Sequence, residues 1–241
     1  MGSTPPDRDA GPLPDGGDSD TDTDADTDTD TDTDGDTDTD TDSDSDSDSD
    51  PCAGVVPGVI ESWTFADCPE GWTFGGTNRS WECGRPTSGP ENDREIGGNL
   101  VATNVDGDYA NEEDSFAATP VVDTSAHACV RLRFWHWYEF ETVGGRSRDG
   151  GLVEATADGD SWTAVTPEDG YDGVVDAGAA ARRVDGEDGF TNDGPIREWQ
   201  EEVFDVSAFA GPGLRARFYF GSDVAGPAPG WYVDDVTIEG G

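Results

Sequence analysis

Two histidines, four cysteines and a large excess of carboxylates are the residues of this 241-residue chain with the means to do chemistry. His127 and His136 stand in no HExxH arrangement, and no GxSxG elbow is present. A hydrolase built on a histidine base or a histidine-bound zinc therefore lacks its parts. His136 is expected instead to pack on the inner face of a strand beside Phe134 and Tyr138. Glycoside hydrolysis needs two carboxyls about 5 to 9 Å apart in space. With 55 acids in the chain, no particular pair is singled out. The chain reads as a non-enzyme.

Cys52, Cys68, Cys83 and Cys129 are even in number and free of CxxC spacing or neighbouring histidines. Two disulfides formed in an oxidising compartment suit that pattern better than zinc. Cys68 with Cys83 closes a short loop, leaving Cys52 to clamp to Cys129; four buried free thiols are the alternative.

Asp234 and Asp235 raise the question of a metal. Strand alternation that directs Tyr232, Val236 and Ile238 one way directs Asp234 the same way, towards the core. A carboxylate buried alone costs several kcal/mol, so it needs a partner. Calcium takes six to eight oxygens. Asp67, Asn104, Asp108 and Asn111 lie in turn-rich segments suited to supply them, with Asp234 and Asp235. An arginine or backbone amides would serve Asp234 equally well. Trp135, Trp137 and Tyr219 sit on arginine-bearing strand faces and suggest a stacking platform for sugar or peptide. The alternative is that those faces are the buried ones. Asn78-Arg79-Ser80 has the pattern of a glycosylation triplet and carries little weight.

The elements that position these residues are strands. Val130 to Glu141 places Val130, Leu132, Phe134, His136, Tyr138 and Phe140 on one face, and Arg131, Arg133, Trp135, Trp137 and Glu139 on the other. Leu214 to Phe220 and Trp231 to Ile238 are similar, and weaker strands are expected near 59–65, 100–104, 152–156, 162–165 and 202–206. Asp158-Gly159 marks a hairpin turn. No segment has a sustained helical period. The prediction is an all-β domain over residues 51–241, a two-sheet jelly-roll β-sandwich, with the glycine-rich stretch from Gly170 to Gly194 as a surface excursion.

Residues 1–50 differ in kind. From Ser19 to Asp50 they form a Thr-Asp repeat passing into Ser-Asp, with no apolar side chain larger than alanine. Nothing there offsets the entropy of ordering, so a disordered acidic stalk is expected, swollen by charge repulsion and shortened by salt or calcium. Asp30 to Gly35 matches the start of an EF-hand loop, but Thr41 stands at the twelfth position, so specific calcium binding is not expected there. The stalk holds 20 aspartates against Arg8, and the head 35 acids against 12 arginines, for charges of −19 and −23. The chain has no lysine. Without a basic stripe, nucleic acid is excluded as a partner. An extracellular protein or a glycan is the expected one. No apolar run is long enough to span a membrane. Gly2-Ser3-Thr4-Pro5-Pro6 before an acidic tract resembles the segment after the lipidated cysteine of a bacterial lipoprotein, which points to a lipid anchor upstream and a secreted or cell-surface location.

An ordered set of motifs then stands out: Ser80-Trp81-Glu82-Cys83-Gly84-Arg85-Pro86, Ala102-Thr103-Asn104-Val105-Asp106-Gly107-Asp108-Tyr109, Phe134-Trp135-His136-Trp137-Tyr138, Asp149-Gly150-Gly151, Asp158-Gly159-Asp160-Ser161-Trp162 and Gly230-Trp231-Tyr232-Val233-Asp234-Asp235-Val236. This order resembles the choice-of-anchor J module of secreted bacterial proteins, which is similar to MAM domains and to the β-sandwich of immune-inhibitor-A metallopeptidases. The resemblance implies a non-catalytic adhesion or ligand-binding module with a structural calcium ion, for which Asp234 is the first ligand to carry over. A carbohydrate-binding accessory module of a secreted hydrolase system is the alternative. Cys83 stands where the family usually has an aromatic residue, which favours the Cys68 to Cys83 bridge.

Overall fold

Runs of β-branched and aromatic residues broken by Gly, Pro, Asn and Asp give strands and tight turns in the computed structural model, which describes residues 50–90, 98–194 and 197–241. The predicted stalk lies outside the described residues, apart from Asp50. In chain order the strands are β1 (Gly58–Trp63), β2 (Thr73–Thr77), β3 (Glu82–Gly84), β4 (Leu100–Ala102), β5 (Asp114–Ala118), β6 (Val130–Glu139), β7 (Thr142–Val143) and β8 (Arg146–Ser147). They continue with β9 (Gly150–Thr156), β10 (Thr163–Val165), β11 (Gly173–Val174), β12 (Asp188–Gly189), β13 (Gln200–Asp205), β14 (Arg215–Gly221) and β15 (Gly230–Gly240). Only two short 3-10 turns, Gly178–Ala180 and Ser207–Phe209, are helical among the described residues.

The strands form an all-β sandwich. One six-stranded sheet runs β13-β6-β15-β4-β3, with β1 also paired to β15; a five-stranded sheet runs β10-β9-β14-β5-β2. The alternation read in β6 and β14 holds. Val130, Leu132, Phe134, Tyr138 and Phe140 meet Ala216, Phe218 and Phe220 in the core between the sheets, along with Trp231, Val233, Val236 and Ile238 of β15. Aromatic rings fill it edge to face, for example Phe134 with Phe218 at 4.9 Å between centroids. His136 is fully buried among them, as expected.

Two expectations are corrected. The alternation of β15 is broken by a bulge: its pairing with β6 shifts register between Asp234 and Thr237, and Asp235 takes a left-handed φ of +48°. Tyr232 therefore packs on the outer face of the first sheet with Leu100, Ala102, Val105 and Trp137, whereas Val236 and Ile238 face the inter-sheet core. Asp234 shares the parity of Tyr232 and is buried from the outside rather than from the core. The stretch from Gly170 to Gly194 is no loose excursion either. Val175, Ala177, Ala181 and Val184 cover Leu152 on the outer face of the second sheet, and Phe190 reaches the main core after bridging Gly151. Its glycines leave room for that close approach: a Cβ at Gly189 would meet the Gly151 carbonyl oxygen at 2.7 Å.

Both disulfides are present in the expected pairing. Cys52–Cys129 ties the start of the domain to the residue preceding β6, and Cys68–Cys83 ties the loop after β1 to β3.

Candidate functional site

At one end of the sandwich three carboxylates from three separate loops converge. β6 runs out at Glu139, and Glu141 follows it; Asp149 precedes β9; Asp223 follows β14. Register brings the last two together, because Gly150 of β9 pairs with Gly221 of β14. One ligand oxygen from each of Glu141, Asp149 and Asp223 lies within 4.8 Å of the others. Two oxygens on opposite sides of one calcium ion would stand about 4.6 to 5.2 Å apart, so the spacing fits a calcium-sized cation.

The surrounding bonds fix this arrangement. The Asp223 amide donates to Asp149 Oδ1 at 2.7 Å, and the Tyr109 hydroxyl donates to Asp149 Oδ2. That hydroxyl accepts in turn from the Glu141 amide at 3.0 Å. Burial pushes the Asp149 carboxyl up to about 7; the bonds from Tyr109 and Asp223 oppose this, and the charges of Asp223 and Glu141 add to it. The Glu141 carboxyl is also raised, first by burial and then by Asp223. Glu141 Oε2 is shielded from solvent and has no hydrogen-bond partner among the described residues. Gly226, at φ +78°, holds a conformation that favours glycine, and the Glu141 carboxylate lies against it, where a Cβ would push that side chain aside. Repelling carboxylates with an unpartnered oxygen are what a bound divalent cation would relieve, so the donor set fits calcium.

The residues predicted as ligands lie elsewhere. Asp67, Asp108 and Asn111 are exposed. Asn104 serves its own turn: its Oδ1 accepts from the Asp106 amide at 2.9 Å, and its Nδ2 donates to the Asp108 carbonyl at 2.8 Å. Asp234 accepts from the Asp235 amide at 2.8 Å. Among the described residues, Asp67, Asp108, Asp234 and Asp235 enter no such group of three. Sequence reasoning did reach Asp149, within Asp149-Gly150-Gly151, but gave it no role. Glu141 and Asp223 carry no local signal, since only the strand register joins them to it.

The predicted platform divides between two faces. Trp135 and Trp137 lie outside the first sheet, where Trp135 Nε1 donates to Glu201 at 3.1 Å and Trp137 is buried against Tyr232, with rings 5.3 Å apart. Tyr219 lies outside the second sheet. There it joins residues that the sequence did not single out as a site. The Arg217 guanidinium stands 4.3 Å from the Trp162 ring centroid, 4.9 Å from Tyr219 and 5.0 Å from Phe116. Arg217 and Arg183 both donate to the fully buried Glu154, the latter at 2.6 Å.

The interior histidine is spent on structure. Trp231 Nε1 donates to His136 Nδ1 at 3.2 Å, so Nε2 carries the proton and faces Glu202 at 3.5 Å. The glycosylation triplet is likewise engaged: Asn78 Nδ2 donates to the Glu112 carbonyl at 3.0 Å, and the Ser80 hydroxyl to the buried Glu113 at 2.5 Å.

No family model matches the chain. Bacillopeptidase F of Bacillus subtilis (strain 168) is 27% identical over 175 residues; the match takes in 72% of this chain and 10% of that protein. The chain thus spans about a tenth of the length of the curated relative. The K1 cleaved adhesin domain of Lys-gingipain from Porphyromonas gingivalis W83 superposes with a TM-score of 0.48 at 16% identity, covering 76% of this chain and 99% of that domain. The xylan-binding CBM22-1 domain of Paenibacillus barcinonensis Xyn10C gives 0.40 at 14% identity, covering 76% and 94%.

Proposed function

We propose that the sandwich is a non-catalytic binding module that works outside the cell, with one end organised by a calcium ion held by Glu141, Asp149 and Asp223. One observation carries the non-catalytic reading: the buried histidine and the two fully buried glutamates, which could act as acid or base, are held by partners inside the fold. His136 faces Trp231 and Glu202, Glu113 faces Ser80 and Ser115, and Glu154 faces two arginines. Two disulfides favour an oxidising, extracellular setting. The match takes in a tenth of a peptidase, and we read that tenth as an accessory segment of it. Membership of the choice-of-anchor J or MAM-like class, display on the acidic stalk and a lipid anchor upstream belong to the same proposal. In it calcium supplies charge neutralisation and joins three loops, while Tyr109 and the Asp223 amide hold Asp149 in place. Calcium titration of the full chain by calorimetry, with Asp149→Asn as control, tests the ion. A panel of chromogenic ester, peptide and glycoside substrates tests the rest, and turnover of any of them by the purified chain would end the reading.

A carbohydrate ligand is the second reading. The half-buried rings of Trp162, Phe116 and Tyr219 around Arg217 favour it, because sugar rings stack on such surfaces.

A further inference from the structure

The chain is short of positive charge, and nearly all of its half-buried arginines are neutralised. Arg131, Arg133, Arg148, Arg183 and Arg217 each have a carboxylate within ion-pairing distance. Arg215, equally half-buried, has no carboxylate partner among the described residues: its side chain bonds to Thr119 and Thr73, and the nearby charge acting on it is that of Arg217. It lies on β14 beside Arg217, on the outer face of the second sheet. Its Nε donates to the Thr119 carbonyl at 2.8 Å and one Nη2 hydrogen to the Thr73 hydroxyl at 2.7 Å. Those two bonds hold the side chain still and leave three of the five guanidinium N–H groups for an outside acceptor. Burial and the neighbouring Arg217 both weigh against its charge. A cation fixed in that state has the most to gain from an anion.

The flanking surface limits what that anion can be attached to. Trp162 leads into the edge strand β10, with its ring centroid 5.7 Å from the Arg215 Cζ. Phe116 and Tyr219 continue the aromatic surface, their rings 6.0 Å apart, and β2 adds Thr73 and Thr77 with Gly75 bare between them. Two guanidiniums lie among these rings, Arg217 tied to Glu154 and Arg215 left for an outside anion; with the hydroxyls they suit a pyranose bearing a carboxylate, with Trp162 for its C–H surface, hydroxyls for its hydroxyls and the Arg215 fork for its charge. A peptide recruited through its backbone would use a sheet edge rather than a sheet face.

We infer that the part of the outer face of the β10-β9-β14-β5-β2 sheet around Arg215 and Trp162, beyond the stretch covered by Val175 to Val184, binds carboxylated saccharides, with Arg215 taking the carboxylate and Trp162 stacking on the sugar ring. The inference rests on the binding-module reading and narrows it to one ligand class and one face. The test uses the full chain at 0.15 M salt, titrated with trigalacturonate and with galactotriose, its carboxyl-reduced counterpart. Trigalacturonate should bind about tenfold or more tighter than the neutral trisaccharide, the range of a charge-assisted bidentate contact. Arg215→Gln should erase that preference and Arg215→Lys retain part of it; Trp162→Ala should weaken both ligands. Unchanged melting midpoints show that the variants fold. Equal binding of both sugars would overturn the inference, as would binding that survives Arg215→Gln, the mark of calcium bridging to other carboxylates. Equal binding of triglutamate would assign the face to acidic peptide instead. No binding of trigalacturonate up to about 10 mM, weaker than any specific recognition expected here, would remove the saccharide but leave the module reading intact. That reading would fall separately, on catalytic turnover.

Discussion

His136 shows how a residue suited to chemistry becomes part of a core. Burial holds its pKa below the usual histidine value, against the opposing pull of Glu202 and then Asp172. An unfolded histidine takes up a proton below about pH 6.5, while the folded one resists it. Its contribution to stability is therefore fully present above pH 6.5 and is lost as the pH falls. Thermal unfolding of the chain and of His136→Gln between pH 7 and 5 should show this. The variant should start lower, having lost packing against Phe134 and Phe190, yet fall less steeply with acid. Parallel slopes would mean that His136 is not the group responsible. Arg215 marks the opposite case, a polar residue whose partners inside the fold stop short of what its chemistry requires.

Among the elements, strand parity decided what could be read in advance. β6 and β14 alternate without interruption, so their two faces follow from spacing alone. β15 looks the same in sequence, but one extra residue at the bulge reverses every side chain before it. Asp235 occupies the left-handed region without being glycine, a conformation costing on the order of 1 kcal/mol. Asp235→Gly should accordingly leave chemical stability unchanged or slightly raised, whereas Asp235→Val should lower it by about 1 to 3 kcal/mol in a denaturant titration. If the two variants behaved alike, the bulge would not be what sets the register. β2, β3 and β5 escaped notice because Gly75, Gly76, Gly84, Ala117 and Ala118 weaken the apolar signal that marks a strand. The candidate cation site was illegible for a related reason: Glu141, Asp149 and Asp223 become neighbours only once β9 and β14 are in register. Cysteine pairing was legible, because four residues leave few choices. Cys52–Cys129 closes 77 residues and Cys68–Cys83 only 15. On the chain-entropy model these contribute about 4.5 and about 3 kcal/mol. The Cys52→Ser/Cys129→Ser double variant should therefore lose more stability than Cys68→Ser/Cys83→Ser, and an inverted order would show that the entropy model does not apply.

At the scale of the whole molecule, charge is the dominant fact: −42 over 241 residues with no lysine. Self-repulsion of that size weighs on any folded state, and salt relieves it as the Debye length shrinks from about 30 Å at 0.01 M to about 3 Å at 1 M. Calcium would also screen, so a calcium effect by itself proves no site. The two contributions separate by concentration and by mutation. Screening follows ionic strength and acts on every carboxylate alike, whereas a site saturates. Calcium at about 100 times the dissociation constant contributes about 2.7 kcal/mol of stability. For a domain of this size that amounts to a rise of roughly 5 to 10 °C in the melting midpoint. Sodium chloride of equal ionic strength should produce less, and with no plateau at low concentration. Asp149→Asn and Asp223→Asn should abolish the saturating part while leaving the sodium response unchanged. A calcium response that survives both substitutions would locate the effect in the general charge of the chain, and the three loops would then be held by Tyr109 and the Asp223 amide alone.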